Sequence, residues 1–217
     1  MPDAKDSAGL AAGPRSEASP KDRGPNRLVP LALVLYGALL AVASVWRLWA
    51  DELWPWRADS SVPPWPLPAR AAAGLAYGAL LIAASRLWIA KSEAGRRLSQ
   101  ELAAAVGPVS ARQAILLAAL SGLAEEAFFR GALQPRVGWV VASALFGLAH
   151  FHPRRELRVW SLSAFIAGLG FAALFEATGD LLAPALAHFL VNAINLRWLA
   201  SHAPRELERP GIGNPAG

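Results

Sequence analysis

Two adjacent carboxylates, an arginine, two histidines and an asparagine fall inside otherwise apolar stretches of this sequence. Glu125, Glu126 and Arg130 lie in one stretch, His150 ends a second, and His188 and Asn192 lie in a third. Ionisable groups at membrane depth are costly, so they mark function by default. On a helix, Glu126 and Arg130 are four residues apart, share a face and can neutralise each other. Glu125 lies about 100° around the helix from Glu126. Its partner must come from another helix, and His150 and His188 are the candidates. A carboxylate and an imidazole that meet in a dry site can activate a water, the carboxylate as general base and the histidine orienting the water or sharing its proton. A second histidine and an asparagine amide are donors suited to a developing oxyanion. These parts suffice for peptide-bond hydrolysis, with Glu126 and Arg130 behind them holding the helix in register. Phe128, Phe129 and Phe146 read as packing residues, Phe129 and Phe146 also as residues that border a substrate. Singly, each group has a plainer reading, a structural ion pair or a helix–helix hydrogen bond. Their coincidence in three apolar segments favours chemistry.

The elements that must position them are membrane helices. The 217 residues are 54% hydrophobic and 17% charged, with mean hydropathy +0.32, whereas a soluble domain carries about 25% charge. The expected fold is an all-α polytopic bundle of about six transmembrane helices plus one interfacial amphipathic helix. The spans read as Leu28–Trp49, Ala69–Ile89, about Ala111–Leu133, Val137–His150, Val159–Phe175 and Leu181–Leu199. Residues 1–27 are rich in Pro, Gly, Ser and charge and read as a disordered tail. The region 28–110 holds the first two spans, a loop with Trp54, Trp56 and Trp65 among prolines, and an amphipathic helix over Lys91–Val106. Residues 111–200 form the core with the polar groups, and 201–217 a polar tail. Ser110 and Gln113 match a capping box. Ala164, Gly168 and Ala172 form a small-residue stripe that allows close helix contact. Arg86 sits near a helix end and reads as snorkelling; Asn195 reads as structural, and His152 and His202 as solvated. Ala41-Val42-Ala43 resembles a signal-peptidase site, but the long leading segment and the run on to Trp49 favour an uncleaved helix.

The net charge of +5 comes from 21 basic and 16 acidic residues. The basic residues bracket apolar segments, as orienting a membrane protein requires, and do not form the aromatic-interleaved patch of a nucleic-acid binder. With six spans they fall mainly on the side that holds both termini, which places both ends in the cytoplasm. The absence of cysteine excludes disulfides, thiolate metal sites and a cysteine nucleophile.

Three motifs carry a resemblance: Glu125-Glu126-Ala-Phe-Phe-Arg130, Phe146-Gly-Leu-Ala-His150 and His188-Phe-Leu-Val-Asn192. Complete and in order, they resemble those of the CPBP family, which groups CAAX prenyl proteases with bacteriocin-processing and self-immunity proteins. The resemblance covers roughly Ala111 to Leu199. It implies an intramembrane endopeptidase in which Glu125 and His150 activate the water, and His188 and Asn192 stabilise the oxyanion. The family has been described both as a zinc metalloprotease and as a metal-free glutamic protease. Zinc needs three protein ligands, which Glu125, His150 and His188 could supply, but no His-Glu-x-x-His motif is present and an asparagine suits an oxyanion hole better. The metal-free mechanism is favoured, with no cofactor, and zinc is the alternative. Some bacterial relatives, the myxosortases among them, process membrane-embedded C-terminal sorting signals. The arginine-heavy composition points to a GC-rich bacterial genome, which disfavours prenylated substrates. The expected partners are the bilayer of a bacterial plasma membrane and a membrane-anchored protein or peptide tail, with no nucleic acid. A non-catalytic immunity or scaffold protein, keeping the polar cluster for helix packing, is the competing reading.

Overall fold

Helix begins at Leu28 in the computed structural model, which describes residues 28–50, 57–58 and 63–203. The expected tails and most of the Trp- and Pro-rich loop lie outside the described residues. The long helices are α1 (Leu28–Trp49), α2 (Leu67–Lys91), α3 (Glu93–Val106) and α4 (Ala111–Glu126). Chain α4 continues without a break into a π-helical stretch, Ala127–Leu133, and a last turn, α5 (Gln134–Val137). After these come α6 (Trp139–Ala149), a 3-10 turn at Arg155–Leu157, α7 (Arg158–Thr178) and α8 (Leu182–His202).

Local chemistry sets the ends. The capping box is present: Gln113 N–H donates to Ser110 Oγ at 3.3 Å and Ser110 N–H to Gln113 Oε1 at 3.0 Å, satisfying two of the amides left open at a helix start. Ser92 Oγ caps α3 by accepting from Gly95 N–H at 2.9 Å. Gly179, at φ 85°, closes α7 in the left-handed conformation that favours glycine. The turn it makes is tied to the chain before α2: Ala58 N–H donates to Gly179 O at 3.0 Å, Trp65 N–H to Thr178 O at 3.1 Å, and Arg70 pairs with Asp180.

The expectation of six spans needs correcting. Among the described residues three helices are long and apolar enough to cross a membrane: Val29–Trp49, Leu67–Lys91 and Arg158–Thr178. A fourth is reached only by joining Glu93–Val106 to Ala111–Val137, whose axes meet at 104°. The polar residues that make the site are the reason. Glu125, Glu126 and Arg130 in the α4 segment, and His188, Asn192, Asn195 and Arg197 in α8, dilute the apolar character of those helices. Helix α6 has 11 residues, about 16 Å of rise against a hydrocarbon core of about 30 Å. The architecture is an all-α membrane bundle with a lipid-compatible exterior, exposing Leu31, Val34, Leu80, Val141, Leu162 and Ile166.

Helix α8 packs chiefly on α2 and α4, and α6 on α7. The approach to α2 is close because Gly74 and Gly78 face it. A Cβ on Gly74 would come within 2.4 Å of Ala183 O, and one on Gly78 within 3.0 Å of Ala187 O. The stripe Ala164, Gly168, Ala172 is buried along α7 as expected. The amphipathic α3 forms, and it buries Leu98, Ser99 and Ala103 beside α2 and α8. Arg86 lies over the Trp198 ring, 4.3 Å from its centroid.

Candidate active site

The carboxylate of Glu126 is fully buried and doubly held. Arg130 Nε donates to its Oε2 at 3.1 Å, and His188 Nδ1 meets its Oε1 at 2.8 Å. The carboxylate is the acceptor in this pair, so Nδ1 carries the hydrogen and Nε2 of His188 faces the other way. Arg130 is itself wholly buried. Its Nη1 donates to Ser143 Oγ at 3.2 Å, and Ser143 donates on to Trp139 O at 2.7 Å. Gly168 leaves the space: a Cβ there would sit 3.1 Å from Phe146 Cδ1 and 3.2 Å from Arg130 Nη2.

Glu125 points to the other side of the helix, into the gap between two imidazoles. Its Oε2 lies 3.9 Å from His150 Nε2 and 3.9 Å from His188 Nε2. That oxygen is buried and has no hydrogen-bond partner among the described residues. A separation of 3.9 Å is too long for a direct hydrogen bond, which leaves the oxygen open to a partner from outside the protein such as a water. His150 is fixed the same way as His188: its Nδ1 meets Phe146 O at 2.8 Å. A carbonyl only accepts, so Nδ1–H donates and the Nε2 lone pair is turned to Glu125.

Aromatic rings wall the two imidazoles. Phe171 stacks on His188 at 5.1 Å with a 10° interplanar angle. Phe146 meets His188 edge-on at 5.8 Å and lies 4.6 Å from the His150 ring, and Trp160 closes the far face of His150 edge-on at 5.1 Å. Phe129 packs edge-on against Phe146 at 5.1 Å. Asn192 Nδ2 donates to Ser121 Oγ at 2.8 Å, which uses one of its two amide hydrogens. Glu125 and His150 keep slight side-chain exposure, 11% and 19%, against 5% for His188. The cluster opens on the side of His150.

The structure brings Glu125, Glu126, Arg130, His150 and His188 together, with Phe129 and Phe146 packed beside them and Asn192 bonded to Ser121. The π-helical stretch follows directly on the two glutamates. Arg47 of α1 donates to a carbonyl within it, Gly131 O, at 2.9 Å. Single π turns of this kind are common at functional sites. Among the described residues no group of three or more His, Asp or Glu side chains is arranged to hold a metal ion. Ser121, Ser143, Phe171 and Trp160 are site neighbours that sequence reasoning did not find. Of these only Ser121 carried a signal, lying one helical turn before Glu125.

Residues 108–194 match the family model of the type II CAAX prenyl endopeptidase Rce1-like proteins. This is the part of the chain that carries every residue of the cluster. Over 82 residues the chain is 38% identical to the uncharacterized protein YpbD of Bacillus subtilis (strain 168). The match covers 37% of this chain and 42% of that protein, so the chain spans less than half the length of this curated relative. No solved structure matches the chain.

Proposed function

We propose that the protein is an intramembrane endopeptidase that hydrolyses a peptide bond near the membrane-embedded or C-terminal tail of a protein substrate. The observation that carries this reading is the geometry of Glu125: a buried carboxylate oxygen without a partner among the described residues, 3.9 Å from two imidazole nitrogens. A scaffold that kept the cluster for packing would gain nothing from leaving that oxygen unpaired, because a buried unsatisfied acceptor costs about 1–3 kcal/mol. The match of 108–194 to CAAX-type endopeptidases supports the same reaction class.

In this reading a water sits between Glu125 Oε2 and the two Nε2 atoms. Glu125 takes its proton as the water oxygen attacks the substrate carbonyl, and later gives that proton to the leaving amide nitrogen. His150 accepts a hydrogen bond from the water through the Nε2 lone pair that Phe146 O leaves free, which aims the attack. His188 stands between both carboxylates, and the cluster is charge-balanced when it carries a proton on each nitrogen: two carboxylates against Arg130 and one imidazolium. Its Nε2–H then donates to the oxyanion, with the second amide hydrogen of Asn192 as the other donor. Glu126 and Arg130 hold His188 and the helix in place. No step requires a metal ion. The preferred substrate is an unprenylated membrane-anchored tail in a bacterial plasma membrane, with the chain's N-terminus in the cytoplasm.

The test compares purified wild type with Glu125→Gln in nanodiscs, with and without chelator, on a panel of membrane-anchored tail peptides read by mass spectrometry. Cleavage by wild type alone, unchanged by chelator, is expected. Cleavage abolished by chelator and restored by zinc would overturn the metal-free mechanism. Equal behaviour of the two proteins would leave only the scaffold.

A further inference from the structure

Helix α1 lies wholly outside the matched segment, yet one stripe of it is applied to the site. Ala32, Ala43 and Arg47 are buried on α1, and Tyr36 and Leu40 are half-buried between them. The steps of four, four, three and four residues put all five on one face. The far end of the stripe is pinned. Arg47 donates to Gly131 O at 2.9 Å, Trp46 meets Phe128 at 6.3 Å between ring centroids, and Ala43 packs with Ala127, Ala132, Phe175 and Leu181. Arg47, near the end of α1, is level with Gly131, and the rest of α1 packs back along α4 itself, so α1 and α4 run in the same direction. Eleven residues before Arg47 on α1 is therefore level with about ten residues before Gly131 on α4, which is Ser121. The half-buried Tyr36 thus faces α4 beside Ser121, one helical turn before Glu125. Ser121 Oγ accepts from Asn192 Nδ2 at 2.8 Å, so α1, α4 and α8 meet in one polar patch on the flank of Glu125.

We infer that Tyr36 is a positioning residue of the site: its hydroxyl donates to Glu125 and holds the other carboxylate oxygen toward His150 and His188. The consequence for cleavage rests on the proposed role of Glu125 as base; the contact itself does not.

Tyr36→Phe removes the hydroxyl and keeps the ring, and two readouts separate the claims. The first is labelling of Glu125 by dicyclohexylcarbodiimide, followed by mass spectrometry across a pH series. The reagent attacks protonated carboxyls, and a hydrogen bond to a carboxylate favours its charged form. Tyr36→Phe is therefore expected to label several-fold faster than wild type at neutral pH. The second is cleavage: kcat is expected to fall about tenfold, the worth of one hydrogen bond to a charged group, with KM unchanged within about twofold. Identical labelling profiles in the two proteins overturn the inference, whatever happens to cleavage. An altered labelling profile with wild-type kcat overturns the positioning role in catalysis. An altered profile in proteins that cleave nothing, wild type included, leaves the contact standing and removes the protease reading.

Discussion

Glu125 and Glu126 are the same residue one position apart, and their surroundings divide the work between them. Glu126 is saturated by Arg130 and His188, whereas Glu125 Oε2 bonds to none of the described residues. Isosteric amides at the two positions should therefore fail differently. Glu125→Gln removes the proposed base, so cleavage should fall by about 10²–10⁴-fold, while membrane abundance and melting temperature stay at wild-type values. Glu126→Gln leaves Arg130 uncompensated in a fully buried position, and Arg130→Ala does the same to Glu126. Breaking a buried pair by removing one partner costs about 3–5 kcal/mol. Both variants should lose melting temperature and abundance before any rate is measured. Fluorescence-detected size exclusion in detergent, run beside the peptide assay, reads both quantities. A stable, inactive Glu126→Gln together with an unstable Glu125→Gln would reverse the assignment. This division was half visible in the sequence. The i, i+4 spacing of Glu126 and Arg130 indicated their pairing, and the 100° offset of Glu125 its need for a partner elsewhere. That His188 would serve both carboxylates, one through each ring nitrogen, depends on how α8 sits against α4, which no spacing within α8 encodes.

At the scale of elements, the legible features were those with a local cause. The bounds of α1, the capping box at Ser110 and the burial of Ala164, Gly168 and Ala172 all follow from residues close in the chain. Three things had no local cause. The π-helical stretch at Ala127–Leu133 has an ordinary helical composition, and Tyr36 carries no motif. Gly74 and Gly78 repeat the small-residue spacing of α7 but sit in a helix with no other sign of function. Their role shows in a prediction. Helix α8 delivers His188, and it is seated against α2 through these two glycines. Adding a methyl at Gly74 places it 2.4 Å from Ala183 O, a backbone atom that can yield only if the helix moves. Gly74→Ala should cost about 1–3 kcal/mol, the usual penalty of overpacking, and lower cleavage as His188 shifts. Gly37→Ala on α1 meets none of the described residues within 4 Å and serves as the control, with melting temperature and rate unchanged. Equal melting temperatures for the two variants would show that α8 is not held by close contact with α2.

For the whole molecule the question is from which side a substrate reaches a site buried among helices. Helix α2 has 25 residues, about 37 Å of rise, enough to separate two faces of a membrane. At its start Pro64 and Trp65 meet the Gly179 turn. At its end α3 begins, and Arg97 of α3 lines a groove with Arg155 and Val159. The loop after His150, the most exposed member of the cluster, runs to that same groove, and Arg154 of the loop pairs with Glu101 of α3 at 3.4 Å. The opening of the site and the basic end of the bundle are thus on one side, and the Gly179 turn is on the other. Because the chain has no cysteine, single substitutions can map this without background. Arg97→Cys and Arg155→Cys should react with a membrane-impermeant maleimide from the same side, and Trp65→Cys from the opposite one. Ile166→Cys, exposed on α7 but facing lipid, should react only with a permeant reagent. The functional consequence is sharper. Phe151, 52% exposed, directly follows His150, so a bulky maleimide on Phe151→Cys should obstruct the opening and cut cleavage at least about tenfold. The same adduct on Trp65→Cys should leave the rate unchanged. If the Phe151 adduct cleaves normally, the substrate enters elsewhere, through the lipid-facing gaps between helices, and the basic end of the bundle has no part in admitting it.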